Sequence, residues 1–486
     1  MRIPHYGNIR EELGRKLSQL SELRPAAFRS RNLVLFLVSV AAATLVVVLL
    51  GDSGMPREAV YMAGILVLAA LLWVTEALPL FATALVVIAL EIVFLSNPGG
   101  WAHLGFDAGD SPSYVEFVGV IGEPIIVLFF GGFLLAHAAT KQGVDRAMAG
   151  LILRFFSGRP LQVIFGLMVV TAVFSMFMSN TATTAMMLTI VAPMLAQIES
   201  GSRLRKGIVL SIPFAANIGG MGTPIGSPPN ALAVGFLRSV GIEVSFLEWM
   251  LIAVPLMLGL LLLTWMLLAV VFRARNSSVE LVPPKQTMNS RGWFVVAVFA
   301  VTVGLWLTEM LHGLPTAVVA QVPIVAFTAT GILDRTDVNR LNWDILLLIA
   351  GGLALGKGME MSGLDRYMVD RFLSGGSYVM AILIFGTLVL GTFMSNTATA
   401  NLILPLGISF AATTATGSAA AVVGISIALT ASASMALPIS TPPNAMAYAH
   451  GELETRDIAL IGSLVGVLTA ALVLAFGGPV IRFWLG

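Results

Sequence analysis

The chain reads as an all-α polytopic membrane protein: about eleven transmembrane helices in an inverted repeat, with two re-entrant helical hairpins. Three observations carry that reading. The 486 residues are 57% hydrophobic and only 11% charged, with a mean hydropathy of +0.92, against about 25% charged residues in a soluble domain. Two phrases occur twice in the same order. Ser179-Asn180-Thr181-Ala182-Thr183 returns as Ser395-Asn396-Thr397-Ala398-Thr399, and Pro224-Ile225-Gly226-Ser227-Pro228-Pro229-Asn230-Ala231 as Pro438-Ile439-Ser440-Thr441-Pro442-Pro443-Asn444-Ala445. Each interrupts an apolar run with small polar residues, Gly or Pro, the pattern of broken helices around a midplane site.

Residues 1–30 are polar and basic, and no small-residue cleavage site follows the first apolar run. They read as a cytoplasmic N-terminal segment and not as a signal peptide. A first transmembrane helix, 31–57, stands outside the repeat. The first repeat, 58–272, holds spans at 58–74, 77–96, 117–140, 207–237 and 249–272; a cytoplasmic linker, 273–291, carries Pro283-Pro284. The second repeat, 292–486, holds spans at 292–312, 315–332, 341–358, 419–449 and 456–485. Stretches 161–199 and 378–415 are too long for one crossing, and each has a Ser-Asn-Thr phrase at its centre.

Flanking charge decides what those stretches do. Arg2, Arg10, Arg15, Lys16, Arg24, Arg29 and Arg31 put the N-terminus in the cytoplasm, and segment 97–116, with Asp107, Asp110 and Glu116 but no Lys or Arg, suits the outside. Both flanks of 161–199 are basic: Lys141, Arg146, Arg154 and Arg159 before it, Arg203, Arg205 and Lys206 after it. A hairpin entering and leaving on the cytoplasmic side satisfies both. By repetition, 378–415 is a second hairpin, facing outward. Five spans and one hairpin per half force opposite orientations on the two halves and leave the C-terminus outside. Shorter echoes support the repeat: Trp73-Val-Thr75-Glu76 with Trp306-Leu-Thr308-Glu309, Gly131-Gly132 with Gly351-Gly352, and Gly143-Val-Asp145-Arg146 with Gly363-Leu-Asp365-Arg366.

Irregular backbone survives at membrane depth only where it is buried in protein or lines a wet cavity. Two tips and two broken helices therefore belong together. Their carbonyls and hydroxyls suit a hard cation, and their helix N-termini suit an anion. Twofold repetition gives two cation pockets around one anion seat, a match for a molecule with two carboxylates. No Lys, Arg or His lies within 161–199, 207–237 or 372–449. A bare charge at the bilayer centre costs about 2.5–3.5 kcal/mol or more, so mobile cations must compensate a dianion. Sodium fits an oxygen-only ligand set; protons would want an Asp, Glu or His in these segments.

These phrases resemble the divalent anion/sodium symporter family, the carriers of dicarboxylates, citrate and sulfate, over nearly the whole chain. The resemblance implies a homodimeric, elevator-type transporter that moves a site-bearing domain against a fixed scaffold, with sodium co-transported. It implies a first sodium site at Ser175, Ser179, Asn180 and the backbone near Gly226, and a second at Asn396, the backbone near Ser440 and oxygens just before the tip. Substrate carboxylates would meet Asn180, Thr181, Asn396 and Thr397, with Ser227, Thr441, Pro228 and Pro442 lining the seat. The chain departs from the family at Gly391, where a hydroxyl mirroring Ser175 is expected. Either Thr392, one residue on, replaces it, or the second sodium site is the weaker.

The resulting expectation is a sodium-coupled importer of a C4-dicarboxylate (succinate, fumarate or malate) in a bacterial inner membrane. The alternatives are a sodium-independent exchanger, or a sodium-coupled citrate or sulfate carrier on the same fold. Scattered histidines and no paired catalytic groups speak against an intramembrane hydrolase, and a net charge of +1 gives no argument for nucleic acid. Glu76 and Glu309 read as structural caps, His137 as a packing residue, and the Asp-Arg pairs at 145 and 365 as parts of interfacial helices.

Overall fold

The structure is a computed structural model and describes residues 30–96, 112–156, 159–272, 287–372, 378–413 and 417–485. The N-terminal segment, Asp107, Asp110 and Pro283-Pro284 lie outside the described residues. Everything regular among them is helical. Seven helices are long and apolar enough to cross a membrane unaided, among them Ser30–Leu50, Phe246–Phe272 and Thr455–Leu485. Ser30–Leu50 leaves Leu33, Leu37, Val48 and Leu49 exposed, as a lipid-facing helix would.

The two long stretches are each two helices. Pro160–Ser175 is followed by Asn180–Leu195, and Tyr378–Phe393 by Asn396–Thr413. A 16-residue helix is about 24 Å long, short of the ~30 Å hydrocarbon core, and the members of each pair pack against each other. The expected spans at 207–237 and 419–449 are likewise divided: Arg203–Gly219 from Pro228–Ser239, and Gly417–Ser432 from Pro442–Ala449. Pro228 and Pro442 open the distal pieces at the first helical position, where the absent N–H would have no partner anyway. A π-helical turn at Val473–Gly477 interrupts the last helix, which no motif announced.

The element order of the first half recurs in the second, and the halves exchange packing partners. Leu80–Leu95 lies on Trp343–Ser362, and Pro124–Lys141 on Gln321–Ala329. Pro228–Ser239 packs on Asn396–Thr413 and Gly417–Ser432, while Pro442–Ala449 packs on Asn180–Leu195 and Arg203–Gly219. The duplicated glycine pairs serve these crossings. A Cβ on Gly131 would lie 2.8 Å from Ala320 O, and one on Gly351 would run into Ala84. A Cβ on Gly132 would lie 3.2 Å from Ile225 Cδ1, and one on Gly352 would run into Asn401. The tryptophans of the other echo clamp turns: Trp73 Nε1 donates to Leu80 O at 3.2 Å and Trp306 Nε1 to Thr316 O at 3.0 Å.

Ion pairs join the halves at three places among the described residues, one of them Lys357 with Glu116 at 2.5 Å. Lys141 and His137 both meet Asp337, the latter at 3.3 Å, so His137 has a cross-repeat partner and is more than a packing residue. Arg205 meets Glu452 at 2.9 Å and Lys206 meets Asp457 at 2.8 Å. Val144–Leu153 and Leu364–Phe372, which carry the Asp-Arg pairs, are short helices.

Candidate functional site

Four helix N-termini open onto one cavity of about 540 Å³. Ser179 and Ser395 are hairpin tips and also N-caps: their Oγ atoms accept from Ala182 N and Ala398 N, each at 3.2 Å, which satisfies one orphan donor per helix. Thr441 Oγ1 accepts likewise from Asn444 N at 3.3 Å, while Ser227, at the equivalent cap, makes no such bond. The cavity is lined by Ser179, Asn180 and Thr181, by Ser395, Asn396 and Thr397, by Gly226, Ser227 and Pro228, and by Ser440, Thr441 and Pro442. Of the residues expected in the site, only Ser175 and Thr392 are not on its wall; they lie one turn behind the tips.

Asn230 and Asn444, the asparagines of the Pro-Pro-Asn phrases, do not reach the cavity. Each is a clip for the irregular loop before it. Asn230 Nδ2 donates to Gly220 O at 2.9 Å and Thr223 O at 2.8 Å, and Asn444 Nδ2 to Met435 O at 2.8 Å and Leu437 O at 3.2 Å. Both side chains are fully buried, and these bonds satisfy carbonyls that the helix break would otherwise orphan. Two cross-links then tie the loops together across the pseudo-twofold: Asn217 Nδ2 donates to Thr441 Oγ1 at 3.1 Å, and Ser432 Oγ to Ser227 Oγ at 3.2 Å.

The first half holds a cluster of oxygens. Ser175 Oγ lies 2.7 Å from Ala216 O and 2.7 Å from Asn180 Oδ1, with one proton for two acceptors. Asn180 Oδ1 also faces Ala216 O at 3.3 Å and Gly226 O at 3.2 Å, with no N–H among them. Turned over, the Asn180 amide donates to Ser175 Oγ at 2.7 Å, Gly226 O at 3.2 Å and Ala216 O at 3.3 Å, which satisfies the group. The second half is built differently. Asn396 Nδ2 faces Ser432 O at 3.5 Å while its Oδ1 is buried without a partner, and Ser440 Oγ donates to Thr392 O at 2.6 Å. Thr392 Oγ1 is turned back to Leu388 O at 2.8 Å.

The cavity is also lined by Pro79, Phe81, Phe129, Phe133, Asn342 and Asp344. None of these, nor Asn217, was singled out by sequence motifs. Nothing in the motifs placed Pro79 on the cavity. No Lys, Arg or His lines the cavity among the described residues. Positive potential there comes from the four helix N-termini, each equivalent to a fraction of a charge. Carbonyl-rich helix C-termini at Ser175, Phe393, Gly219 and Ser432 supply the complementary negative ends, a division that suits an anion and cations side by side.

Comparison with known proteins agrees with this architecture. Residues 30–484 match the family described as the sodium:sulfate symporter transmembrane region. An uncharacterized transporter of Haemophilus influenzae is 30% identical over 89% of this chain and 94% of its own length. The sodium-dependent dicarboxylate transporter SdcS of Staphylococcus aureus is 29% identical over 86% of this chain and 85% of its own. Among solved structures, the YdaH transporter of Alcanivorax borkumensis aligns over 85% of this chain and 98% of its own with a TM-score of 0.56 at 13% identity, a likeness of fold. The chain is therefore an integral membrane transporter and not an enzyme, and it belongs to the sodium:sulfate symporter family, the divalent anion/sodium symporters that its motifs resemble.

Proposed function

We propose that this protein imports a C4-dicarboxylate such as succinate, fumarate or malate together with at least two sodium ions. One observation carries the reading: four helix N-termini converge on a cavity that has no cationic side chain among the described residues. A dianion there is held by N–H groups and hydroxyls, and its charge is balanced by ions that travel with it. The substrate carboxylates sit on Asn180, Thr181, Asn396 and Thr397, between Ser227-Pro228 and Thr441-Pro442. One sodium takes the oxygens of Ser175, Ser179, Asn180 and Gly226; the other takes Asn396, Ser440 and the backbone at Thr392. The gathering of Ser175 Oγ, Ala216 O and Gly226 O beside the Asn180 amide supports the first of these. A third sodium would move net charge and gain about 2.3 kcal/mol per 100 mV. The cavity volume of about 540 Å³ lies within the usual range for small-molecule sites.

Transport on this reading is an elevator. The hairpins and broken helices move with Phe246–Phe272 and Thr455–Leu485 against the remaining helices, in a homodimer with its N-terminus in the cytoplasm. The test is uptake of labelled succinate into proteoliposomes, with citrate and sulfate as competitors. Accumulation should require an inward sodium gradient and saturate. Equal accumulation without sodium would overturn the coupling, and sodium-free counterflow from preloaded vesicles would mark an exchanger instead.

A further inference from the structure

We propose that Ser434 supplies the hydroxyl of the second cation site, in the place that Ser175 fills in the first. This deepens the sodium-coupled reading and rests on it. The duplicated phrases set the correspondence. Ser179 pairs with Ser395, so Ser175 pairs with Gly391; Asn230 pairs with Asn444, so Ala216 pairs with Thr430 and Gly220 with Ser434.

In the first half the hydroxyl comes from the hairpin. Ser175 Oγ donates to Ala216 O at 2.7 Å, and Gly220, on the facing broken helix, leaves room: a Cβ there would lie 2.5 Å from Asn180 Oδ1. In the second half the arrangement is reversed. The hairpin position is Gly391, and the hydroxyl comes from the broken helix, where Ser434 Oγ donates to Thr430 O at 3.0 Å. Thr430 O is the counterpart of Ala216 O, so both hydroxyls hold the same carbonyl from opposite walls. A Cβ on Gly391 would lie 2.6 Å from Ser434 Cβ and 2.7 Å from its Oγ; only one of the two positions can carry a side chain.

A serine bonding the carbonyl four residues back is by itself ordinary helix chemistry. Ser434 differs because its Oγ stands where the missing side chain of Gly391 would begin. Its single proton goes to a carbonyl, which leaves its lone pairs for a cation. Unpartnered oxygens are at hand. Thr399 Oγ1, on a fully buried residue, lies 3.6 Å from the same Cβ position and has no hydrogen-bond partner, and neither has Asn396 Oδ1. Thr392 does not hold the carbonyl that corresponds to Ala216 O: its hydroxyl donates to Leu388 O on its own helix.

The test reads sodium in two ways: the half-saturating sodium concentration for succinate uptake in proteoliposomes, and the rise in melting temperature of the purified protein on adding sodium chloride in place of potassium chloride. Ser434→Ala should raise half-saturating sodium about fivefold, the order expected for loss of one neutral oxygen ligand, and shrink the thermal shift. Gly391→Ser alone should impair the sodium response through its clash with Ser434. The double variant Gly391→Ser with Ser434→Gly, which copies the Ser175 and Gly220 pairing, should restore it. A Ser434→Ala protein with unchanged half-saturation and unchanged thermal shift overturns the assignment, as does a double variant no better than Gly391→Ser. A wild type indifferent to sodium in both measurements overturns the coupling itself, and this assignment with it.

Discussion

Two kinds of asparagine do different work in the duplicated phrases. Asn180 and Asn396 open onto the cavity, whereas Asn230 and Asn444 are buried clips for loop carbonyls. Substitution should separate them. Asn180→Ala removes an amide at a tip that is already capped by Ser179, so the protein should melt near the wild-type temperature while succinate uptake falls to background. Asn230→Ala strands buried carbonyls at Gly220 and Thr223, each costing about 1–3 kcal/mol when unsatisfied. It should lower the melting temperature in detergent and lose uptake as a consequence. If Asn230→Ala melts like the wild type, the clip is not what holds the loop.

Helix crossings set the next constraint, and glycine decides how close they come. A Cβ on Gly351 would run into the backbone of Ala84, while one on Gly386 would meet nothing within 4 Å. Gly351→Ala should therefore cost about 1–3 kcal/mol, the usual range for overpacking. Gly386→Ala should be neutral, or stabilising by up to about 1 kcal/mol in its helix. Thermal melting of the two variants side by side checks the contrast. The glycine pairs also show what could be read from sequence. Their duplication marked them as part of the repeat, but not which helix each would face, because the contacts run between halves. The tips, the broken helices and most cavity residues were legible because Ser-Asn-Thr and Pro-Pro-Asn carry their own local chemistry, namely caps and missing donors. Asn217, Phe129 and Phe133 were not legible, since a single residue on an apolar helix has no local signature. The exchange of a hydroxyl between Gly391 and Ser434 was visible only as an absence, because the replacement lies on another helix.

At the size of the whole chain, the question is which parts move together. The cluster of Lys141, His137 and Asp337 ties Pro124–Lys141 to the short helix Arg335–Asn339 of the other half. Burial alone would raise the Asp337 carboxyl, but Lys141, the Asp334 N–H and His137 more than offset it and hold it at about 2. A carboxyl depressed in the folded state contributes stability that is complete above its unfolded value near 4 and is lost as pH falls toward 2. Asp337→Asn should cost about 1–2 kcal/mol at neutral pH, and the difference from wild type should shrink through that acid window. The cluster would then be a fixed joint within the framework. On the proposed elevator, the sliding surface would lie elsewhere, where Pro124–Lys141 meets the loop of the first broken helix. A Cβ on Gly132 would stand 3.5 Å from Ile225 Cβ, within reach of a disulfide. The chain has no cysteine, so Gly132→Cys with Ile225→Cys forms a single defined bridge without background. If the site-bearing body slides, oxidation should abolish uptake and reduction should restore it. Gly64→Cys with Val47→Cys is the control: its Cβ separation is 4.0 Å, and it links two helices of the framework, so uptake should be indifferent to oxidation. Full transport through a complete Gly132–Ile225 cross-link, verified by mass spectrometry, would mean that these surfaces do not slide, and the elevator would have to give way to a motion confined to the hairpin tips.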